Sequence, residues 1–505
     1  MLRATVVVLL LNMLSRLLGL VRDAVIVWQF GAGSVTDAYM VAYQLPYALQ
    51  AVLGMSFVTV IVPVLTGYLV RGEQEEGSLV ASSVINGTGL VLTLITLVGL
   101  AVAPGLVRVM APGFGPGELE LTTRLTRIMF PSIIFMGLGL MLTGVLNTHK
   151  RFALPAFAPA LVNIVVILAV VLFGARYGVQ GLAVGTLTGF VGFLLIQLPG
   201  LRKLDLRLKW VLDSRHPQVK AAVWAILPVT FATGVNQIAL AMNRFFASGL
   251  APGTITALDY ANRVMNLPLG VFAAAVATAA FPAMAEKAAA KDWAGFGENF
   301  NSSLRLASLT ILPATVGLIV LREPVVRLLF ERGNFGAGAT EMTAGALLYF
   351  ALGLWFLSAI YLLTRAYYSL GDLKTPALVG AVAVAGNAVF SLALLPILGH
   401  NGLPLANTLA AGVNAGLLFY LLRRRIPHWR YRSLGMPLGK MLGASLVMGA
   451  VVYLGLRLLG GSHSFIMESV VVLALVALGA GVYGLAVILF KLEEGKKLLR
   501  LRKET

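Results

Sequence analysis

The stretch "NMLSRLLGLVRDAVIVWQFG", residues 12–31, has the length and apolar content of a membrane-spanning helix, yet it carries Arg16, Arg22 and Asp23. A guanidinium at the centre of a span costs about 2.5–3.5 kcal/mol on insertion scales. Residues kept against that cost face water, a partner or a ligand. The rest of the chain has the same apolar character: of 505 residues, 58% are hydrophobic and 12% charged, with a mean hydropathy of +0.88. That composition defines an integral membrane protein. No Ser/Pro-rich or like-charge tract separates the apolar runs, so no extramembrane domain is expected. The chain has no cysteine, which excludes disulfides, thiolate catalysis and thiolate-metal sites. The five histidines fall near segment ends without ligand spacing, and neither a metal site nor a cofactor is expected. The N-terminal "ATVVVLLLNML" (4–14) follows Arg3 as in a signal peptide, but no small-residue cleavage pattern follows. It reads as a retained first helix.

A span needs about 20 apolar residues, and on that rule the chain divides into about 14 segments, an all-α polytopic protein. They run approximately over 4–30, 35–69, 78–106, 122–147, 152–175, 178–200, 218–248, 254–284, 304–328, 340–367, 375–398, 401–422, 438–459 and 466–490. The second is too long for a straight span, and Pro46 and Pro63 predict bending. Placing the N-terminus in the cytoplasm puts "LRKLDLRLKW" (201–210), "RRRIPHWRYRSLGMPLGK" (423–440) and "KLEEGKKLLRLRKET" (491–505) on one side. Roughly 25 of the 39 Lys and Arg then lie in cytoplasmic loops and tails, so both termini are expected there. The net charge of +18 is mostly this topological bias, and nucleic acid is not an expected partner.

The halves also repeat. "LNTHKRFALPA" (146–156) lines up with "YYSLGDLKTPA" (367–377), "TDAYMVA" (36–42) with "ITALDYA" (255–261), and Pro63 with Pro282. All are roughly 220 residues apart. Each half holds six spans, an even number, so the two bundles keep one orientation and form a parallel repeat. The expected organisation is an N-terminal six-helix bundle over 1–215, a second over 216–425, and two extra helices with a basic tail over 426–505. In such repeats the site is expected between the halves, near the midplane.

Charged residues inside the spans are Arg16, Arg22, Asp23, Asp37, Arg244, Asp259, Arg263 and Arg365. At about 1.5 Å per residue from the helix ends, Arg16 and Arg263 both fall near the midplane. Asp259 and Arg263 are i, i+4 on one helix face. Arg16 and Arg22, six apart, point about 120° from each other on an ideal helix, and Gly19 offers a place to bend or unwind that would bring both to one cavity. Structural ion pairing, Arg22 with Asp23 or Asp37 and Arg263 with Asp259, is the plainer reading. Across the set, five Arg against three Asp leave a positive interior, and an unpaired guanidinium in a low dielectric is costly unless an anion visits. Arg stays protonated and binds phosphate bidentately, so a phosphate or pyrophosphate is the natural guest.

Several longer stretches carry a family resemblance: "SRLLGLVRDAVIVWQFGAGSVTDAYMVAYQLP" (15–46), "APGFGPGE" (111–118), "LTRIMFPSIIFMGLGLMLTGVLNTHKRFALPAFAPALVNI" (125–164), "NRVMNLPLGVF" (262–272), "EPVVRLLFERGNF" (323–335) and "RAYYSLGDLKTP" (365–376). Together they resemble the MurJ (MviN) lipid II flippases of the multidrug/oligosaccharidyl-lipid/polysaccharide exporter superfamily. The resemblance runs from the first span to about residue 425. It implies a transporter of the bacterial cytoplasmic (inner) membrane that moves undecaprenyl-pyrophosphate-linked peptidoglycan precursor, lipid II, to the outer leaflet by alternating access. It also implies a lipid-facing groove formed by the last two helices, and cell-wall synthesis proteins as candidate partners. The family's cavity arginines match Arg16, Arg22 and Arg263, and its second-span aspartate matches Asp37. Two departures stand out. Where family members often carry charge in the second span, this chain reads "YALQAVLGMSFV" (47–58), with Gln50; beside Arg263 it has Asn262 and Asn266, with Asp259 as the substitute acid. The substrate-binding set read from the sequence is therefore Arg16, Arg22, Asp37, Asp259, Asn262, Arg263 and Asn266.

Other readings fit less well. A flippase for another polyprenyl-linked polysaccharide needs the same cationic cavity and differs only in family motifs. A cation-coupled multidrug exporter wants cavity carboxylates, and these are too few. A membrane enzyme on the same lipids needs clustered carboxylates or a base. "GELE" (117–120) and "RGEQEE" (71–76) read as solvated loop charge, and "GLGLMLTG" (137–144) as close helix packing rather than a phosphate loop.

Overall fold

Hydrocarbon offers no partner for an open N–H or C=O, so a chain this apolar is driven into helices that satisfy their own backbone. Every regular element among the described residues is helical. The computed structural model describes residues 2–202, 204, 209–213, 215–221, 224, 237, 240–427, 429–459 and 465–492, and their side chains except at 2–5 and 49–60. The chain forms two compact units, Met1–Thr256 with Arg332–Phe335, and Ala257–Glu331 with Gly336–Thr505.

In the first unit, α1 (Leu2–Phe30) lies along α6 (Ala153–Leu195), while α2 (Ser34–Arg71) packs on α4 (Pro116–Met129) and α5 (Ser132–Thr148), flanked by α3 (Gln74–Met110). Pro46 and Pro63 both sit inside the continuous α2. The segment expected over 122–147 is α4 plus α5, broken at Phe130–Pro131, and it starts earlier because Pro116 opens the helix while the Glu118 carboxylate accepts from the Gly115 N–H at 3.0 Å.

Helix α7 (Thr254–Pro268), whose first residues to Thr256 belong to the first unit, opens the second; it passes through a π-turn at Leu269–Ala273, directly after Pro268, into α8 (Ala274–Ala289). It continues with α9 (Trp293–Val320), α10 (Arg322–Phe330), α11 (Ala337–Leu352), α12 (Leu354–Ser369), α13 (Lys374–Leu398), α14 (Gly402–Arg425), α15 (Gly435–Leu459) and α16 (Phe465–Leu489). Helix α9 starts well before the expected 304, because Asp292 caps it by accepting from Gly295 N–H at 2.8 Å and a polar first turn is invisible to a hydropathy window. The expected span 340–367 bends by 45° between α11 and α12. There Gly353 lies so close to α14 that a Cβ would stand 2.5 Å from the Thr408 hydroxyl, and that hydroxyl donates to the Tyr349 carbonyl at 2.7 Å.

By length and composition, eight helices among the described residues can cross a membrane, or nine with the bent α11–α12 pair. Two of them, Ala153–Leu201 and Lys374–Arg425, each hold two of the expected segments, broken at Gly178 (φ 57°) and Gly399 (φ 55°). The expected segment 218–248 lies mostly outside the described residues; within it 240–247 is helical. The repeat is visible in the backbone itself: left-handed corners occur in pairs at Gly31 and Gly253, Gly72 and Lys291, Lys150 and Gly371, and Gly178 and Gly399, all roughly 220 residues apart.

One such corner is fastened by Asp372, which accepts from the backbone N–H of Lys374 at 3.0 Å and of Thr375 at 2.9 Å, from the Thr375 hydroxyl at 2.6 Å, and from Arg425 at the end of α14. Burial pushes the Asp372 carboxyl up, but the hydrogen bonds from Thr375 and Arg425 outweigh it and leave the carboxyl at about 2. An unfolded aspartate titrates near 3.9. The folded carboxyl is therefore the stronger acid, and its stabilisation is present above pH ~4 and lost as pH falls toward 2. Asp372→Asn is expected to lower the thermal unfolding temperature in detergent at pH 7, and the gap to the wild type should narrow on acidification through that window.

Candidate functional site

Helix α1 brings its charges to α6 through one residue, Asn163. Its side-chain amide donates to the Ser15 carbonyl at 3.0 Å and accepts from Arg22 Nη1 at 3.1 Å, bridging two turns of α1. Arg22 also donates to Asp23 Oδ1 from Nε at 3.0 Å and from Nη2 at 2.7 Å, and Asp23 is buried. The Arg22 guanidinium is thus held half-buried by a carboxylate and an amide. Arg16 is exposed on another face of the same helix. The unwinding expected at Gly19 does not occur: α1 is continuous, because Asn163 grips the backbone at Ser15 and its amide nitrogen lies 3.8 Å from where a Cβ on Gly19 would stand. Arg16 and Arg22 therefore keep the divergent directions of an ideal helix. Asn163 was not singled out from the sequence; the available signal was a lone amide within the apolar "PALVNIVVIL" (159–168).

Asp37, in the first turn of α2, is buried and serves the main chain. Its Oδ2 accepts from Gly253 N–H at 2.7 Å, and its Oδ1 from Thr256 N–H at 2.8 Å and the Thr256 hydroxyl at 2.5 Å. A carboxylate here satisfies the open N–H groups that begin α7 and complements the positive end of the helix dipole. Around it the turns meet backbone to backbone. Gly253 (φ 90°) lies where a Cβ would come within 2.6 Å of the Ala32 carbonyl; Asn334 N–H donates to the Trp28 carbonyl at 3.0 Å and its side chain to the Gln29 carbonyl at 2.6 Å; Gly113 N–H donates to Ser248 at 3.1 Å. Turns from both sequence repeats form one clasp, all within the first unit.

In the second unit, Asp259, Asn262, Arg263 and Asn266 occupy i, i+3, i+4 and i+7 of α7 and so share one face. Leu258, Tyr260, Ala261, Val264 and Met265 on the other faces are buried. Arg263 lies 5.4 Å from the centre of the Tyr260 ring, and Tyr260 packs on Phe330 at 4.8 Å between centroids. Asn266 donates to the Asn262 carbonyl at 2.8 Å and to its side-chain oxygen at 2.6 Å. Of the other charges, Arg244 is buried, and Arg365 lies 5.8 Å from the Phe281 ring. The side chain of Gln50 lies outside the described residues.

The second unit also contains an apolar groove of about 830 Å³. Leu309, Pro313 and Leu318 of α9 line it with Met448 of α15, Leu475 and Gly479 of α16, and Lys491. The groove has the polarity and volume to take an apolar chain.

Comparison with known proteins places this arrangement. Its fold matches a MurJ described as "Lipid II flippase MurJ, inward closed conformation" with a TM-score of 0.82 at 24% identity, covering 96% of this chain and 99% of that one. It also matches an inward-facing MATE family multidrug resistance transporter of the MOP superfamily, with a TM-score of 0.67 at 18% identity, covering 83% of this chain and 98% of that one. The protein is a multi-pass helical membrane protein with the fold of that transporter superfamily. The profile of the lipid II flippase MurJ family matches residues 26–475, and the chain belongs to that family. The lipid II flippase MurJ of Burkholderia cenocepacia is 31% identical over 465 residues, 89% of each chain. The probable lipid II flippase MurJ of Rhizobium tropici is 32% identical over 485 residues, 93% of this chain and 90% of that one.

Removing the Asp37 carboxylate leaves the Gly253 and Thr256 donors unpaired. Asp37→Ala is expected to cost about 2–3 kcal/mol, measured by thermal or denaturant unfolding in detergent. Asp37→Asn, which keeps one acceptor oxygen, should recover part of that loss.

Proposed function

We propose that this protein is a lipid II flippase of the bacterial cytoplasmic membrane. It carries the lipid-linked peptidoglycan precursor from the inner to the outer leaflet by alternating access, and so serves cell-wall biogenesis and cell shape. The observation that carries this reading is the family match over residues 26–475. Physical chemistry supplies the mechanism. An unshielded pyrophosphate cannot enter hydrocarbon, so the head group travels against polar side chains while the polyprenyl tail stays in an apolar phase. Arg16, Arg22 and Arg263 engage the pyrophosphate, with Asn262 and Asn266 as neutral hydrogen-bonding neighbours and Asp259 as the acid beside Arg263. Because Asp23 and Asn163 already hold Arg22 in place, little side-chain entropy remains to be lost when an anion arrives. The groove along α15 and α16 takes the tail. Asp37 acts differently, through the clasp: its bonds to Gly253 and Thr256 must break when that end of the molecule opens. The protein works as a transporter, with both termini in the cytoplasm and a parallel repeat of six-span bundles over 1–215 and 216–425.

The test is lipid II reaching the outer leaflet of bacteria depleted of their own flippase. Wild-type protein should restore it. Arg16→Ala, Arg22→Ala and Arg263→Ala, at equal membrane abundance, are expected to lower export by an order of magnitude or more. Failure of the wild type would transfer the assignment to another polyprenyl-pyrophosphate-linked cargo; full activity of all three variants would make the arginines structural.

A further inference from the structure

A cluster of three arginines lies in the first unit, where the end of α3 meets α4. Arg108, Arg124 and Arg127 line a pocket of about 390 Å³ with Pro104, Leu119 and Glu120. The arginines exceed the acid available to neutralise them. Arg124 pairs with Glu120 at 3.2 Å, and Arg108 makes no ion pair or hydrogen bond among the described residues. Glu120 is the one acid lining the pocket, which keeps a net positive charge.

The position of Arg127 follows from backbone chemistry. Pro104 has no N–H, so the Leu100 carbonyl one turn earlier in α3 loses its helical donor. Arg127 Nε approaches that carbonyl at 3.4 Å. The contact orients the guanidinium while leaving its terminal nitrogens for another acceptor.

The helix leading to the pocket suggests its occupant. Leu90, Leu94, Leu97, Ala101 and Arg108 fall at i, i+4, i+7, i+11 and i+18 of α3, one helical face, and all five are exposed. At about 1.5 Å per residue, Leu97 lies roughly 16 Å from Arg108, about the depth of one leaflet. A free anion would use the arginines and have no use for the apolar stripe. An acyl chain laid on the stripe places its head group at the arginines.

We propose that this pocket seats the phosphate of an anionic membrane lipid, with an acyl chain along the exposed face of α3. The site belongs to the resident bilayer and is separate from the arginines assigned to cargo. Arg108 and Arg124 supply charge, Arg127 supplies a fixed donor, and Glu120 tempers the affinity so that the lipid exchanges.

The absence of cysteine makes the test direct, because a Leu97→Cys change places a single fluorophore on the stripe of the full-length protein. Quenching is measured in nanodiscs containing spin-labelled phosphatidylglycerol or spin-labelled phosphatidylethanolamine. The expected result is quenching at a lower mole fraction of phosphatidylglycerol. Arg108→Gln with Arg124→Gln should erase that preference, at about five-fold per arginine removed, and Glu120→Gln should strengthen it. Arg127 is left intact because its loss would disturb the helix at Pro104. Equal quenching by the two lipids overturns the proposal, as does a preference unmoved by either change. A pocket that binds inorganic phosphate, read by its effect on thermal unfolding, without lipid preference overturns it too. If the double variant fails to fold, Glu120→Gln decides alone, and no gain in preference sinks the idea.

Discussion

An unpaired backbone N–H or C=O in hydrocarbon costs several kcal/mol, and this constraint organises the protein more than any single ion pair does. A straight helix meets it unaided. The chain, however, repeatedly breaks, bends or begins its helices, and at three such places a side chain takes over the missing bond. Thr408 donates to Tyr349 where α11 bends, Arg127 approaches the Leu100 carbonyl that Pro104 leaves without a donor, and Asp37 accepts from the start of α7. Irregular backbone is what permits a membrane protein to form corners, clasps and cavities. Polar residues in the spans are its necessary companions.

This double use of polar residues explains why the fold was legible in the sequence and the site only partly so. Hydropathy located most spans, and the recurring Pro-Ala and aspartate motifs located the repeat, which the left-handed corners reproduce. Hydropathy could not locate polar helix extensions such as the first turns of α9, or the break at Gly353, which depends on a hydroxyl from another helix. Charge was easy to see and its assignment was not. The i, i+4 spacing of Asp259 and Arg263 put them on one face of α7, and Asn262 and Asn266 share that face in the helix. Arg22 was visible, but its amide partner lies 141 residues away at Asn163. Asp37 was read into the substrate set because it matches the family's second-span aspartate; in the structure its carboxylate accepts from the main chain at Gly253 and Thr256. Nothing local in the sequence distinguishes a carboxylate that caps a distant helix from one that meets a substrate.

The two arginines of α1 show how a span can hold charge without collapsing onto it. Had Arg16 and Arg22 been brought to the same point by an unwound Gly19, each would have raised the cost of the other. The continuous helix keeps them on different faces, one fastened by Asp23 and Asn163 and the other open. Holding like charges apart on one helix lowers the cost that each imposes on the other.

The left-handed corners carry a separate consequence. Among the described residues the non-glycine ones are all lysines, Lys150, Lys291 and Lys491, and each directly follows the end of a helix. A lysine held at positive φ costs on the order of 1 kcal/mol relative to glycine, and at two of these corners glycine stands at the matching position of the other repeat, Gly371 and Gly72. The other left-handed corners among the described residues, at Gly31, Gly178, Gly253, Gly333 and Gly399, are glycine throughout. Each lysine thus fixes a charge at a helix exit on a short tether. Moving such a charge through hydrocarbon is costly, so a lysine at a helix exit resists passage of that end of the helix through the bilayer.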